Sequence, residues 1–269
     1  MKHYCFLTMP ESDRLVIYHL YRNDGTSLFL HPFDEKEKSI DIFEKKEIVG
    51  KYGREPRVEA LTAFRNELYR IVENRVNAWI GESRFIPKFL ISAGVFLASY
   101  LFMALVIRDP LPMIDEIAIG LGISILTFFL IGRKDRRSDV SLKKRIQLRT
   151  KVDRIIFQEN DFVREIEDAL WKMEKEDADH LVEEMLDPIK GSLSNEERED
   201  AKRIAGYLKG RFRPADLRRK EKILKKFDRE RKKGNQVKAP GILSAGGKVD
   251  LSLFAVYTRV KQSYEKVDS

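Results

Sequence analysis

The sequence predicts a mainly α-helical membrane protein, in which a two-helix transmembrane hairpin joins two helical cytoplasmic regions. Three observations favour this fold class. Two strongly apolar stretches lie close together in the 269-residue chain. A short link with two prolines separates them, and outside them apolar residues recur mostly at helical spacing. We therefore expect an N-terminal region over residues 1–84, the hairpin over 85–132 and a C-terminal region over 133–269.

The N-terminal region contains one pattern that is typical of strands. Two apolar segments, residues 14–21 and 26–31, flank the turn sequence Asn23-Asp24-Gly25. Because such turn residues join the strands of hairpins, we expect a small β-hairpin here. A short helix over residues 10–25 is the alternative. The charged stretch over residues 34–51 is typical of a surface segment or linker.

A helical pattern begins near Val58 and continues toward the first apolar stretch. Its apolar residues recur three or four positions apart: Leu61, Phe64, Leu68, Ile71, Val72, Val76 and Trp79. Trp79 and Phe85 fall where interfacial aromatic residues are favoured. We expect this helix to lead the chain to the membrane.

The first predicted span covers residues 89–107, nineteen residues without a charge. At about 1.5 Å per residue, a helix of this length measures about 28 Å, close to the ~30 Å hydrocarbon core of a bilayer. Eleven of its residues are Leu, Ile, Phe or Val, and each contributes about −0.3 to −0.6 kcal/mol to insertion. A helix buried in a soluble core is the alternative, but such a helix usually keeps a polar face.

The second predicted span covers residues 113–132. Asp115 and Glu116 would each cost about 2.5 to 3.5 kcal/mol at the bilayer centre, so they must lie at its edge; a re-entrant segment is the alternative. The link over residues 108–112 contains two prolines, and its shortness makes the helices antiparallel neighbours. Small residues at spacing four would let the helices pack closely: Gly94 and Ala98, Ala118 and Gly122, Gly120 and Ser124.

Positive charge lies on the outer flanks of the two spans. These flanks hold many lysines and arginines, whereas the link holds only Arg108. The positive-inside rule therefore predicts an integral membrane protein with both termini in the cytoplasm, in the inner membrane if the chain is bacterial. The predicted membrane-proximal basic residues are Arg84, Lys88, Arg133, Lys134, Arg136 and Arg137.

The C-terminal region is predicted to form a series of helices. Apolar residues over 142–185 recur at helical spacing, in one long helix or in two that break near Asn160. Ser194 and Glu197 form a capping box that opens a further helix. Pro214 starts another, and the last apolar element, after residue 250, is either a helix or a strand.

Charge is segregated in this region. Residues 159–187 hold 12 acidic and 3 basic residues, whereas residues 211–233 hold 12 basic and 4 acidic ones. These are two solvated faces, or the basic helix folds back on the acidic segment, or it binds anionic lipid, an acidic partner or nucleic acid. Only Phe212 and Phe227 could stack on bases, which argues against nucleic acid. The candidate residues of the basic helix are Arg211, Arg213, Arg218, Arg219, Lys220, Lys222, Lys225 and Lys226.

The sequence predicts no catalytic, cofactor-binding or metal site. Residues 241–248 depart from a phosphate-binding loop, because five residues rather than four precede the Gly-Lys pair and Val249 follows it. The four histidines are scattered, and the single cysteine is Cys5. Neither residue type therefore offers metal-ligand or catalytic spacing.

These observations predict a membrane-anchored adaptor or assembly scaffold, which presents charged cytoplasmic helices to a protein partner or to another copy of the chain. The net charge of +8 also favours contact with anionic surfaces such as the lipid bilayer. The alternative is a subunit of a small oligomeric channel or transporter. An enzyme that acts at the membrane is a third hypothesis.

Overall fold

A computed structural model describes residues 14–33, 40–107, 113–176, 178–233 and 250–265 of the chain. The fold is mostly helical, with a small sheet and two apolar helices. The described residues divide into two compact units. We call them the sheet unit, drawn from Met1–Pro32, Ile48–Phe64 and Ile155–Ser269, and the hairpin unit, drawn from Phe33–Glu47 and Arg65–Arg154.

The sheet has four strands in the order β2-β1-β3-β4. Strands β1 (Arg14–Tyr21) and β2 (Ser27–Leu30) pair antiparallel, with Tyr18 opposite Leu30. The turn between them places Gly25 at a φ of 84°, a conformation that glycine adopts without strain. The predicted β-hairpin is therefore confirmed, and the alternative helix over residues 10–25 is wrong.

The other half of the sheet corrects a prediction. Residues 34–51 were expected to form a surface segment or linker, but the described part contains helix α1 (Asp41–Lys45) and strand β3 (Glu47–Tyr52). Strand β3 pairs in parallel with β4 (Phe157–Glu159). Gly50 is needed at this pairing, since a Cβ atom there would lie 2.3 Å from the ring of Phe157. The partner strand lies far along the chain, so the local charge pattern did not reveal β3.

The hairpin unit consists mainly of four helices. Helix α2 spans Val58–Ser83, so its first residues belong to the sheet unit. Helix α3 (Phe85–Phe102) continues through a π-helical turn at Met103–Ile107. Helices α4 (Met113–Arg136) and α5 (Asp139–Asp153) follow. Pro87 does not break α3, because the first turn of a helix tolerates proline.

Long side chains connect helices α2 and α5 in the hairpin unit. The guanidinium of Arg145 donates to Asn77 Oδ1 at 2.8 Å and lies 3.0 Å from a carboxylate oxygen of Glu73. Lys151 Nζ donates to the carbonyl of Phe43 at 2.9 Å, which attaches α1 to α5. Ordinary hydrogen bonds and ion pairs therefore join the helices on this side of the unit.

Five helices complete the sheet unit: α6 (Asp161–Lys175), α7 (Ala178–Glu184), α8 (Asn195–Arg211), α9 (Pro214–Lys232) and α10 (Leu251–Glu265). Asn160 caps α6 by accepting from the backbone N–H of Val163. The predicted break near Asn160 is therefore confirmed, but residues 142–185 contribute to three helices rather than to one or two, since α6 ends at Lys175 and α7 begins at Ala178. The capping box of Ser194 and Glu197 is also present at the start of α8.

The main core of the sheet unit lies against one face of β1. Val16, Tyr18 and Leu20 alternate along the strand and so point to the same face. There they pack with buried apolar residues of all five C-terminal helices, including Ile166 and Phe254. Strands β1 and β2 therefore share one core with the C-terminal helices of the sheet unit.

Candidate functional site

Helices α3 and α4 contain the two segments that are long and apolar enough to cross a membrane. The segments are Phe85–Leu105 and Glu116–Arg136, each of 21 residues, with mean hydropathies of 1.8 and 1.7. Only 6% of the most apolar window of either segment is buried within the protein. The exposed side chains include Phe89, Leu97 and Phe129. Large apolar groups therefore point outward along both helices.

The two helices contact each other through small residues. Ser124 Oγ donates to the carbonyl of Ser92 at 2.8 Å. A Cβ atom on Gly120 would lie 3.3 Å from Phe96 and from Ser99 Oγ, so glycine permits the close approach. Of the predicted small-residue rows, that of Gly120 and Ser124 faces the partner helix.

The remaining small-residue rows are not in this contact. A Cβ atom added at Gly94 or at Gly122 would meet no heavy atom within 4 Å. Within the described hairpin these two glycines therefore face outward.

The predicted membrane-proximal basic residues lie at one end of the hairpin. Arg84 precedes α3 and Lys88 lies in its first turn, whereas Arg133, Lys134 and Arg136 lie in the last turn of α4. Lys88 Nζ lies 4.2 Å from the centre of the Phe128 ring, so the start of α3 lies beside the C-terminal part of α4. A lysine near the C-terminal end of a helix also interacts favourably with its dipole.

A surface cleft of about 570 Å³ lies where α4 gives way to α5. Its basic side chains are Arg133, Lys134 and Arg137, and Leu130 lies on its apolar side. Asp135 and Asp139 also line it, so the cleft is only mildly cationic.

The basic helix predicted over residues 211–233 is α9, and it has two distinct faces. Leu217, Leu224 and Phe227 are buried in the core of the sheet unit. Lys220 lies on this inner face as well, about 6.0 Å from the ring centre of Phe254, and burial lowers the pKa of Lys220. Although it was predicted as a binding residue, Lys220 therefore does not belong to the exposed basic surface.

The opposite side of α9 carries exposed cations. We call this set the basic face; it consists of Arg218, Arg219, Lys222, Lys225, Lys226 and Arg229. Within the described part of the chain, these six side chains form no ion pair with an acidic residue. All of them except Arg219 line a surface cleft of about 620 Å³ along the helix. Of the other predicted residues, Arg213 is exposed just before α9, and Arg211 donates to the carbonyl of Phe29 at 2.6 Å.

Acidic residues of the segment over 159–187 form ion pairs with cations that lie outside α9. Glu174 pairs with Arg22 at 2.6 Å, and Glu165 lies 3.5 Å from Lys190. Asp168 pairs with Arg54. Apolar residues rather than pairing with this segment therefore hold α9 in the sheet unit.

One buried polar cluster connects β1, β3 and α8. Tyr18 Oη donates to Asp200 Oδ1 at 2.6 Å, and Lys51 Nζ donates to Asp200 Oδ2 at 2.7 Å. Burial and the neighbouring carboxylate raise the pKa of Tyr18 well above its ordinary value. Burial alone would lower the pKa of Lys51, but hydrogen bonds to Asp200 and Glu196 outweigh it and raise that pKa. Tyr18 and Lys51 thus provide hydrogen bonds to both side-chain oxygens of Asp200, which is buried inside the sheet unit.

A second buried cluster lies at the end of β1. Both side chains of His19 and Glu167 are fully buried, with His19 Nδ1 4.0 Å from Glu167 Oε1. The backbone N–H of Tyr21 donates to Glu167 Oε1 at 2.8 Å. Burial raises the pKa of Glu167 to about 7 and lowers the pKa of His19 to about 4. The guanidinium of Arg54 lies 3.7 Å from Glu167 Oε2 and 3.9 Å from the ring centre of Trp171.

Sequence reasoning missed both clusters, because their members come from distant segments. The available signal lay in the composition of β1, because Tyr18 and His19 are polar residues inside an otherwise apolar strand. Among the described residues, no group of three or more His, Cys, Asp or Glu could hold a metal ion. Residues 241–248, with the loop that departs from a phosphate-binding motif, lie outside the described residues.

Comparison of the chain with protein-family models, with curated proteins and with solved structures gave no match.

Proposed function

We propose that the protein is a membrane-anchored adaptor, in which α3 and α4 form a transmembrane hairpin. The observation that supports the anchor is the exposure of large apolar side chains along both helices. Soluble monomers rarely expose contiguous apolar patches larger than a few hundred Å². Lipid would cover these side chains, whereas water would leave them unfavourably solvated.

The basic end of the hairpin supports a single orientation. Arg84 and Lys88 at the start of α3 lie beside the last turn of α4, which carries Arg133, Lys134 and Arg136. Because lysine and arginine are retained on the cytoplasmic side, this end would face the cytoplasm. Both termini of the chain would then be cytoplasmic.

The adaptor role is assigned to the charged helices of the sheet unit. Helices α6 and α8 contribute buried residues to its core, while acidic and basic side chains cover their outer faces. Exposed charges of both signs can set the orientation and specificity of a protein partner. The partner would be another protein or a second copy of the chain.

Membrane extraction tests the anchor. The full-length chain should remain in the membrane pellet after alkaline carbonate treatment and should dissolve only in detergent. A compact, monodisperse chain in the supernatant without detergent would contradict the proposal.

Site-specific photocrosslinking in cells tests the adaptor role. A photoreactive residue at exposed Glu199 or Lys202 on α8 should give a discrete crosslinked species, and one at buried Phe254 provides the matched control. A species of twice the chain mass would identify a second copy as the partner. Absence of crosslinks to protein at all exposed positions of the sheet unit would overturn the adaptor role. Point sites are preferable to truncation after Gly132, because truncation would remove the helices that cover β1.

The channel alternative has less support from the hairpin. A channel needs polar groups that face a path, yet three of the four serine and threonine hydroxyls of the hairpin bond to backbone carbonyls, and the fourth, that of Ser92, is buried. Ser124 donates to Ser92, Ser99 to Phe96 and Thr127 to Ile123. Ion flux through liposomes that contain the purified chain would restore this alternative.

A further inference from the structure

The positive charge on the basic face of α9 is not neutralised by ion pairs among the described residues of the sheet unit. The six cations occupy one side of the helix, within an arc of roughly 120° when each residue turns by about 100°. The residues that face the core, Leu217, Leu224 and Phe227, lie on the opposite side. Core packing therefore fixes which side of α9 is presented to the surroundings.

The acidic residues of α9 do not neutralise this face. Glu221 lies 3.1 Å from Lys261 of α10 and accepts from Tyr257 Oη at the same distance. Asp228 pairs with Lys232 and Glu230 pairs with Lys233, both near the end of the helix. These three acids are therefore engaged beside or beyond the basic face, and the fourth, Asp216, lies in the first turn of α9, before the first cation of that face. The cations of the basic face stay available.

The chemistry of the face is purely electrostatic. The two aromatic residues near and on α9, Phe212 and Phe227, are buried and so could not stack on nucleic-acid bases. Ile223 is only partly buried, but no large apolar side chain of α9 is among the described exposed ones. Tight protein interfaces usually depend on buried aromatic or aliphatic anchors, which this face lacks.

From this geometry we infer that the basic face of α9 docks on the anionic phospholipid surface of the membrane that holds the hairpin. This inference rests on the proposed membrane anchor. Arg218, Lys222, Lys225 and Arg229 form a row along about 16 Å of helix, which could contact several lipid phosphates at once. Weak charge contacts suffice here, because the anchor keeps the membrane surface at a high effective concentration.

Nanodiscs that contain the full-length chain can test the docking. Cys5→Ser leaves the chain without its natural cysteine, and Ala215→Cys then places a fluorescent dye on the basic face without removing a charge. Headgroup-labelled lipid should quench the dye in discs of phosphatidylcholine with phosphatidylglycerol. Quenching should be much weaker in discs of phosphatidylcholine alone, and added salt should reduce it.

A matched pair of triple variants separates this face from general charge. Arg218→Gln, Lys222→Gln and Lys225→Gln together should weaken docking at least tenfold, an order-of-magnitude expectation for three lipid-facing cations. Lys175→Gln, Lys202→Gln and Lys209→Gln remove the same charge from exposed positions on α6 and α8. This control should change docking less than about twofold, within the range expected for surface substitutions.

Two kinds of failure remain distinguishable. If the chain does not enter discs of either lipid, the proposed anchor is wrong. If it enters both but the dye is equally accessible in the two lipids, the anchor stands and the docking inference is overturned. An equal loss of docking in both triple variants would also overturn the inference. So would a chain that binds poly-glutamate or single-stranded RNA but does not dock on anionic discs.

Discussion

In the sheet unit, the apolar residues of β1 are buried on both faces of the strand, whereas in the hairpin unit most large apolar residues of α3 are exposed. The residue types are the same: Leu20 is fully buried, and Leu97 is 57% exposed. Apolar content therefore does not distinguish these regions, but the groups that surround each side chain do. The sheet unit supplies its own apolar environment, while most large apolar side chains of the hairpin are not covered by other described residues of the chain.

The hydrogen bonds of polar side chains also differ between the two units. In the sheet unit, Tyr18 and Asp200 meet across 182 positions of sequence. In the hairpin, Thr127 bonds to the carbonyl four residues before it, and Ser124 bonds to the adjacent antiparallel helix. A helix satisfies its own backbone, as a segment in lipid must. The sheet unit instead depends on contacts between distant segments.

The largest expected difference comes from removing one phenylalanine in each region. Phe254→Ala should lower the free energy of unfolding of the sheet unit by about 3 to 5 kcal/mol, because it leaves a cavity in a packed core. Phe89→Ala, at a side chain 55% exposed, should leave it nearly unchanged. Denaturant unfolding in a Trp79→Phe background, followed through Trp171, reports the sheet unit. Equal losses in both variants would break the comparison.

When a lysine is introduced instead, the hairpin should be the more sensitive of the two regions. Leu97→Lys lies near the middle of the first apolar segment and should oppose membrane insertion by about 2.5 to 3.5 kcal/mol. Ile156→Lys, at a side chain 67% exposed in the sheet unit, should stay within about 0.5 kcal/mol of the original stability. The fraction of chain that resists carbonate extraction measures the first effect. A Leu97→Lys chain that extracts like the parent would indicate that water, not lipid, surrounds this helix.

Buried ionisable groups should make the stability of the sheet unit depend on pH. The pKa of Glu167 is raised from 4.5 to about 7, so its stabilising contribution is present below pH 4.5 and is lost as pH rises toward 7. The pKa of His19 is lowered from 6.5 to about 4, so its contribution is present above pH 6.5 and is lost as pH falls toward 4. The two slopes oppose each other in the parent chain.

Single substitutions should separate these slopes. With Glu167→Gln, the free energy of unfolding should rise between about pH 4.5 and 6.5; with His19→Gln, it should fall across that interval. Each change is on the order of 3 kcal/mol if the full shifts are expressed. Denaturant midpoints measured at several pH values provide the test. Parallel pH profiles for the two variants would refute the assignment.

The smallest effect is expected inside the hairpin. Ser124→Ala removes the hydrogen bond to the carbonyl of Ser92, and such bonds between membrane helices contribute about 0.6 kcal/mol on average. Thermal unfolding in detergent should therefore shift only slightly. Thr127→Ala, which removes a bond within α4, is the control and should not weaken contact between the helices. A loss of several kcal/mol in Ser124→Ala would indicate that this contact carries more of the hairpin's stability than we expect.

Features set by neighbouring residues were predictable. The turn at Asn23-Asp24-Gly25, the cap at Asn160 and the capping box of Ser194 with Glu197 each depend on groups within a few positions. The two apolar helices were predictable for the same reason, although the apolar segments in the structure begin and end a few residues away from the predicted ones. Strand β3 was not, because its partner β4 follows more than a hundred residues later.

The sequence by itself determined the local elements and the sign of charge on each segment, since both follow from residues close together in the chain. Tertiary structure decided which of those residues became interior. It turned Lys220 inward and left Lys222 and Lys225 exposed, because the core selects one face of α9. It also buried Glu167 beside His19, a pairing that depends on folding β1 against α6 and therefore has no local signature.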